Sequence, residues 1–386
     1  MIRMLTAQTT EVDDVDFAVA EILKQLDLEN RLLKNSVGIL ACYADFLEGG
    51  VIPALCDRLP FDVVGVTTLG TGTENTAELL ALTLCVLTSD DVSFSAVVSE
   101  SLIDDHENKI QAAYDRAAAA LPGDPALVLA YVPMMAAVGG EKIASRIDKV
   151  GNGTPVFGTV ACDHNFDSRQ AHTIYNGAAY RDNLAMILLS GPVRARFFLG
   201  ALPLNNVQKH QAVITASDGN ILHEINGLPA AEYLRGMGLA PNDILESSKS
   251  MPIVVDYRDG TPPVIRGFYT FTPEGSAICG GEMPVNATFA LSTLDSADVL
   301  LSARQLFDEI LAAQGAVGML LISCLVRSFA LDTEPLAEMN LVSSCVDRTF
   351  PYQLCYAGGE ICPVYDKEGG VSNRFHNFSF IGCMFE

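Results

Sequence analysis

The 386-residue sequence has no tryptophan and is poor in basic residues: 24 Lys plus Arg stand against 47 Asp plus Glu, a net charge of −23. A polyanion would meet repulsion here instead of counterion-release attraction. No basic patch with interleaved aromatics offsets this, so nucleic acid and anionic membranes are not expected partners. Long apolar runs are missing too. The longest, such as VGMLLISCLV (317–326), fall well short of the ~18 residues of a membrane span. The opening MIRMLTAQTTEVDD has no apolar h-region, so no secretory signal is expected. Patterns of the C-x-x-C, H-E-x-x-H, G-x-S-x-G and P-loop types do not occur. LGTGTEN (69–75) contains G-x-G, but Asn75 stands where a dinucleotide fingerprint needs its third glycine.

What is present is apolar and globular. Hydrophobic residues make up 49% of the chain, enough for two core-bearing domains at this length. The ten cysteines are scattered through apolar, strand-like segments, which reads as reduced core thiols in a cytoplasmic protein.

Hydrophobic periodicity gives the element order. DDVDFAVAEILKQLDLENRLLK (13–34) is an amphipathic helix capped by Asp13 or Asp14. VGILACY (37–43), a helix over 44–59 broken near Pro53, and FDVVGVTTLG (61–70) form a strand–helix–strand unit. That unit recurs as 126–132, 139–150 and 154–163, and again as 319–326, 334–348 and 351–360. Gly65 and Gly158 fall at matching places; the third copy has Leu354. Each copy reads as a βαβ unit of parallel sheet. Between them, 79–89 and 92–101 are expected to pair as a hairpin across Asp90-Asp91. Residues 172–201 read as successive antiparallel strands turning at Asn176-Gly177. Strands continue through 207–225 and 250–294, and a helix over 296–314 starts at Ser296. The expected fold class is α/β: two domains of mixed β-sheet with flanking helices and βαβ-like repeats. The boundary is placed in LPLNNV (202–207), giving domains 1–206 and 207–386 that share one cleft.

Segments over nearly the whole chain carry a resemblance. They are DFAVAEILKQL (16–26), FDVVGVTTLG (61–70), GTVACD (158–163), HTIYNGAAYRDNLAMILLSG (172–191), VITASDGNILHEINGLPAAEYL (213–234), FTPEGSAI (271–278), LLISCLVRSF (320–329), YAGGEICP (356–363) and RFHNFSF (374–380). In this order the set resembles the FIST proteins, with paired N- and C-terminal FIST sensory domains. Two departures are the less aromatic run LCYAGGE and Leu354 where a glycine is usual. The resemblance implies sensing of a small molecule, an amino acid being one candidate, with haem-based nitric-oxide sensing as an alternative. The chain leaves no length for an output domain, so a separate signalling protein is expected to receive the signal. A homodimer is compatible with this reading, although no interface stands out.

Ligands of open α/β sheets lie beyond the carboxyl ends of the strands. Those ends carry Thr67, Thr68, Tyr131, Asp163 and Arg327, and the strand through Tyr356 leads to Glu360. Arg327 would hold a carboxylate bidentately while Glu360 or Asp163 holds an ammonium, as suits a zwitterion. The plainer alternative is that Arg327 pairs with Glu360 or Asp332 and only fixes a loop. His376 and Asn377 lie on a strand whose alternation places His376 with Phe378 and Phe380. They read as hydrogen-bonded core residues or as pocket lining, with His376 the axial ligand if haem binds. Asp163, His164, Asp167 and His172 match no standard metal spacing and read as a polar loop. No cofactor and no catalytic role are expected. A hydrolase using Asp163, Glu360 and Arg327 is the remaining alternative, but no residue stands out as its nucleophile.

Overall fold

The computed structural model describes residues 1–135, 138–163, 169–202, 207–208, 211–242, 251–346, 348–365 and 368–386. The chain runs three times through one plan. The first unit is β1 (Ile2–Thr9), α1 (Val15–Leu26), α2 (Leu28–Arg31), β2 (Asn35–Cys42), α3 (Asp45–Glu48), α4 (Val51–Cys56) and β3 (Val63–Thr67). A hairpin β4 (Gly70–Thr73)/β5 (Ala77–Glu78) and a return strand β6 (Leu82–Ser89) follow. The second unit is β7 (Ser93–Ser101), α5 (His106–Ala119), β8 (Pro125–Val132), α6 (Gly140–Val150) and β9 (Val156–Val160). Its hairpin is β10 (Thr173–Tyr175)/β11 (Ala178–Tyr180), and its return strand is β12 (Asn183–Ser190).

The third unit begins with β13 (Ala195–Gly200) and is then interrupted. A β-module is inserted: β14 (Ala212–Asp218), β15 (Ile221–Ile225), β16 (Leu228–Pro229), α7 (Ala230–Gly236), β17 (Ile253–Asp256), β18 (Val264–Arg266), β19 (Phe268–Phe271), β20 (Ala277–Cys279) and β21 (Thr288–Leu291). These strands form an eight-stranded antiparallel sheet. The unit resumes with α8 (Ser296–Ala313), β22 (Gly318–Cys324), α9 (Leu325–Ala330), α10 (Ala337–Val346) and β23 (Tyr352–Ala357). Its hairpin is β24 (Glu360–Tyr365)/β25 (Val371–His376), and its return strand is β26 (Phe380–Phe385).

Each unit builds a six-stranded sheet with the same order: β1-β6-β2-β3-β10-β11, β7-β12-β8-β9-β24-β25 and β13-β26-β22-β23-β4-β5. Among the described residues, only the central pairs β2–β3, β8–β9 and β22–β23 are parallel. Each unit gives its hairpin to a neighbour: the first to the third, the third to the second, the second to the first. The strand ends close the same cycle. Leu69 N donates to the Tyr356 carbonyl (3.2 Å), Gly358 N to that of Val160 (2.9 Å) and Cys162 N to that of Thr67 (3.0 Å). The expected βαβ recurrence is thus the scaffold itself, and sheets two and three take strands from both sides of the 206/207 boundary.

The inner faces of the three sheets pack on one another. Ile39, Val66, Leu129, Phe157, Leu320 and Cys355 lie in this shared core. The outer faces carry the helices. Ala18, Val19, Ile22 and Leu26 are the buried stripe of α1, and Asp14 caps it by accepting from Phe17 N at 3.0 Å, a bond worth about 1 kcal/mol. α8 is capped one residue earlier than expected, by Asp295 in a capping box with Asp298. Helix 44–59 breaks at Gly49-Gly50, where Gly50 is left-handed, and not at Pro53, which lies in the first turn of α4.

The expected hairpin over 79–101 does not form. β6 lies between β1 and β2, and β7 pairs with β12 in the next sheet. Asn176-Gly177 does turn β10 into β11, both residues at positive φ. Gly65 and Gly158 face Leu40 and Ala130 in the parallel pairs, and a Cβ on either would collide with that partner's carbonyl oxygen. Gly158→Ala should therefore force apart the ladder that carries Glu360, with an expected loss of about 2–3 kcal/mol, measurable by urea unfolding.

Candidate functional site

The three strand ends are closed by the backbone ring, and the central axis beneath it is filled. A cavity of about 20 Å³ remains there, lined by Tyr131, Phe157, Thr159, Ile322, Gln353 and Cys355. That is room for about one water molecule. Tyr131 is buried in this core, and burial pushes its phenol pKa well up. Thr67 ties β3 to β10: its Oγ1 accepts from His172 N at 2.9 Å. Thr68 N donates to the Cys42 carbonyl at 2.8 Å. Asp163 is buried close enough to Tyr43 and Cys162 to raise both their pKa values. His164 and Asp167 lie outside the described residues, and among those described no group of three or more His, Cys, Asp or Glu is placed to hold a metal. An open groove of about 760 Å³ lies elsewhere, lined by Lys34, Ser36, Asp57, Asp62 and Asn176 among others. It contains none of the expected site residues.

Arg327 is fully buried behind β22. It is paired with Glu338, neither with Glu360 nor with Asp332. Its Nε donates to Glu338 Oε1 at 3.0 Å and its Nη2 binds the same oxygen. Nη2 also donates to Val299 O and Ser302 Oγ, and Nη1 to Phe378 O. Ser323 Oγ donates to Glu338 Oε2 at 2.5 Å. Tyr356 lies beside this pair, its pKa raised by burial and by Glu338. Arg327 is committed to these partners and offers no fork to a carboxylate in this structure.

Glu360 and His376 come together. They are directly opposite in the β24–β25 ladder, so their side chains share one face. Thr159 is opposite Glu360 on the other side. Glu360 is fully buried; Ser379 Oγ donates to its Oε2 at 2.7 Å and Ser379 N at 3.3 Å. Glu360 Oε1, His376 Nε2 and Asn377 Oδ1 are buried without a hydrogen-bond partner. Burial pushes the Glu360 carboxyl up to about 8, against the opposing pull of Ser379, Cys324 and Arg327. Burial pushes His376 down to about 3, helped by the charges of Arg266 and Arg374. At neutral pH the pair is a neutral acid facing a neutral imidazole.

The loop after β25 shapes this site. Alternation stops at His376, because Phe378 adopts φ 58°, rare and strained for a bulky residue. Phe378 is held there by Arg327 on its carbonyl and by burial among Val254, Ile265, Leu294 and Val299. The turn leaves Asn377 facing the inserted module. A Cβ on Gly280 would lie 2.9 Å from Asn377 Oδ1 and 3.2 Å from Tyr269 Oη. Tyr269 has an exposed ring and an inward hydroxyl. The module is docked by a further buried pair: Arg266 Nη2 donates to Glu141 Oε2 and to Tyr257 Oη, both at 2.7 Å, and its Nη1 to Phe375 O at 2.9 Å.

The FIST N domain model matches residues 36–228, and the FIST C domain model matches residues 229–363. The chain belongs to the FIST family. FIST domains are associated with small-ligand-binding signal transduction and are sensory, not catalytic. In this FIST chain the C-terminal match begins within the inserted module and ends in β24, just beyond Glu360. No curated protein matches the chain. A crystal structure of cyanuric acid hydrolase from A. caulinodans is similar at a TM-score of 0.29 and 12% identity, over 49% of this chain and 70% of that one. A likeness of that degree carries no argument. No helix among the described residues is long and apolar enough to cross a membrane.

Reading the sequence missed Cys324, Ser379, Glu338, Arg266, Glu141 and Tyr269. Cys324 and Ser379 lie inside the LLISCLVRSF and RFHNFSF segments that carried the resemblance. Nothing in sequence spacing ties Arg266 to Glu141, which are 125 residues apart.

Proposed function

We propose that this FIST protein is a cytoplasmic small-molecule sensor whose ligand binds at the seam of Glu360, His376 and Asn377 and whose signal passes to a separate protein. One observation carries the reading: three adjacent residues keep buried polar atoms without partners. Native cores leave few such atoms, and each forfeits about 1–3 kcal/mol. A ligand that satisfies them recovers that free energy on binding. The amino-acid reading keeps its amine half, since Glu360 has an unused oxygen. Its carboxylate half loses Arg327 to Glu338.

The haem alternative does not fit this conformation. His376 Nε2 is unpartnered, but one added carbon at Gly280 already crowds Asn377, which leaves no room for a macrocycle. The hydrolase alternative lacks an activated nucleophile here. Cys324 adjoins Glu360, and burial and that carboxyl hold its thiol pKa well up, so it stays protonated.

The test is thermal unfolding against amino acids, amines, small metabolites and haemin. A true ligand at ~100 times its dissociation constant adds about 2.7 kcal/mol. That shift should vanish in Asn377→Ala and Glu360→Gln while both variants stay folded. A ligand that still shifts both variants does not bind here.

A further inference from the structure

Once its proton is lost, Glu360 Oε1 is an acceptor like Asn377 Oδ1, and His376 Nε2 is the third buried atom without a partner. Asn377 Oδ1 is a carbonyl oxygen. The Cys362 backbone acts on His376 in the sense that favours the charged ring. In the tautomer protonated at Nδ1, the neutral ring offers a lone pair at Nε2. Glu360 faces His376 across one ladder rung. Two buried arginines lie near, and both are committed: Arg327 to Glu338, Phe378 O and α8, Arg266 to Glu141, Tyr257 and Phe375 O. A ligand carboxylate would find no free guanidinium in either; a third, Arg374, pairs with Asp259 and has only a buried Nε left without a partner. A protonated amine would find donor-hungry oxygen and nitrogen. The net charge of −23 draws cations towards the surface as well.

We propose that the ligand is a primary ammonium without a neighbouring carboxylate, seated between Glu360 and His376, and that its entry expels the proton of Glu360. This rests on the seam being the ligand site. The exchange is balanced. R–NH3+ enters, the Glu360 O–H bond breaks, one H+ leaves for solvent, and the carboxylate formed pairs with the ammonium. The charge of the site stays constant, so the buried seam never holds an isolated ion. Opposite Glu360 is His376 on β25, and the other titratable and charged groups near enough to interact with it are Cys324 at the end of β22, Cys355 on β23, Cys162 after β9, Tyr269 on β19 and Arg327 on α9. Arg266 and Arg374 face His376 and oppose its protonation. Glu360 is therefore the member of the seam that gives up a proton near neutrality.

The test is titration calorimetry of the full chain with propylammonium chloride, in two pH 7 buffers of different ionisation heat. About one proton should leave per ammonium bound, and affinity should rise about tenfold per pH unit up to about 8. Glycine and acetate should bind at least tenfold more weakly, and Glu360→Gln should abolish ammonium binding while its unfolding midpoint is retained. Binding without proton release, or glycine binding as tightly as propylammonium, overturns the proposal. If the ammonium fails while another metabolite shifts the wild-type midpoint but not that of Asn377→Ala, the ligand class is wrong and the seam stands. If no compound depends on Asn377 or Glu360, both fall.

Discussion

Arg327→Ala should destabilise the protein by about 3–5 kcal/mol in urea unfolding, the range for breaking a buried ion pair by removing one member. Both partners are fully buried. The loss leaves Glu338 with only Ser323 Oγ as a donor from its former set. It also frees the Phe378 carbonyl and with it the left-handed turn that positions Asn377. Arg327→Met combined with Glu338→Leu should recover most of the stability, because no buried charge then remains unpaired. A structural Arg327 and a carboxylate-binding Arg327 differ in outcome. In the first case the double variant stays folded and keeps its ligand; in the second it folds but loses the ligand.

The pH profile of stability should show a plateau. Glu360 is raised from 4.5 to about 8 in the folded state, so its contribution is full below pH 4.5 and is lost as pH rises towards about 8. His376 is lowered from 6.5 to about 3, so its contribution is full above pH 6.5 and is lost as pH falls towards about 3. Between 4.5 and 6.5 the two slopes cancel. Outside that window stability should fall by on the order of 1.4 kcal/mol per pH unit from each group. Glu360→Gln should remove the alkaline fall and make the variant the more stable protein at pH 8. His376→Gln should remove the acid fall. Urea midpoints measured from pH 4 to pH 9 read both; parallel profiles for wild type and Glu360→Gln would contradict the buried neutral carboxyl.

Much of the scaffold is legible from local pattern. The α1 stripe, its Asp14 cap and the three strand–helix–strand units follow from periodicity, since a helix or buried strand writes its own spacing into the chain. Partners are another matter. Residues 82–89 and 93–101 read correctly as strands, yet they join different sheets, because alternation reports burial and not the neighbour across the ladder. The exchange of hairpins among units and the interruption of the third unit by the β-module are non-local in the same way. The site divides along the same line. Glu360 and His376 stand out as buried polar residues at strand ends. That they face each other depends on register, and the partner of Arg327 depends on how α10 folds back over β22. The glycine shared by the first two units marks close approach of parallel strands at Gly65 and Gly158. Leu354 shows that the third pair accommodates a side chain there.

The most direct measurement is the unfolding midpoint of wild type, Glu360→Gln and Asn377→Ala at pH 7, with and without saturating small ligands. Sensing at the seam requires at least one compound to raise the wild-type midpoint and leave both folded variants unmoved. A compound that raises all three midpoints equally would place the ligand elsewhere, and Glu360, His376 and Asn377 would then be no more than the polar seam of a core.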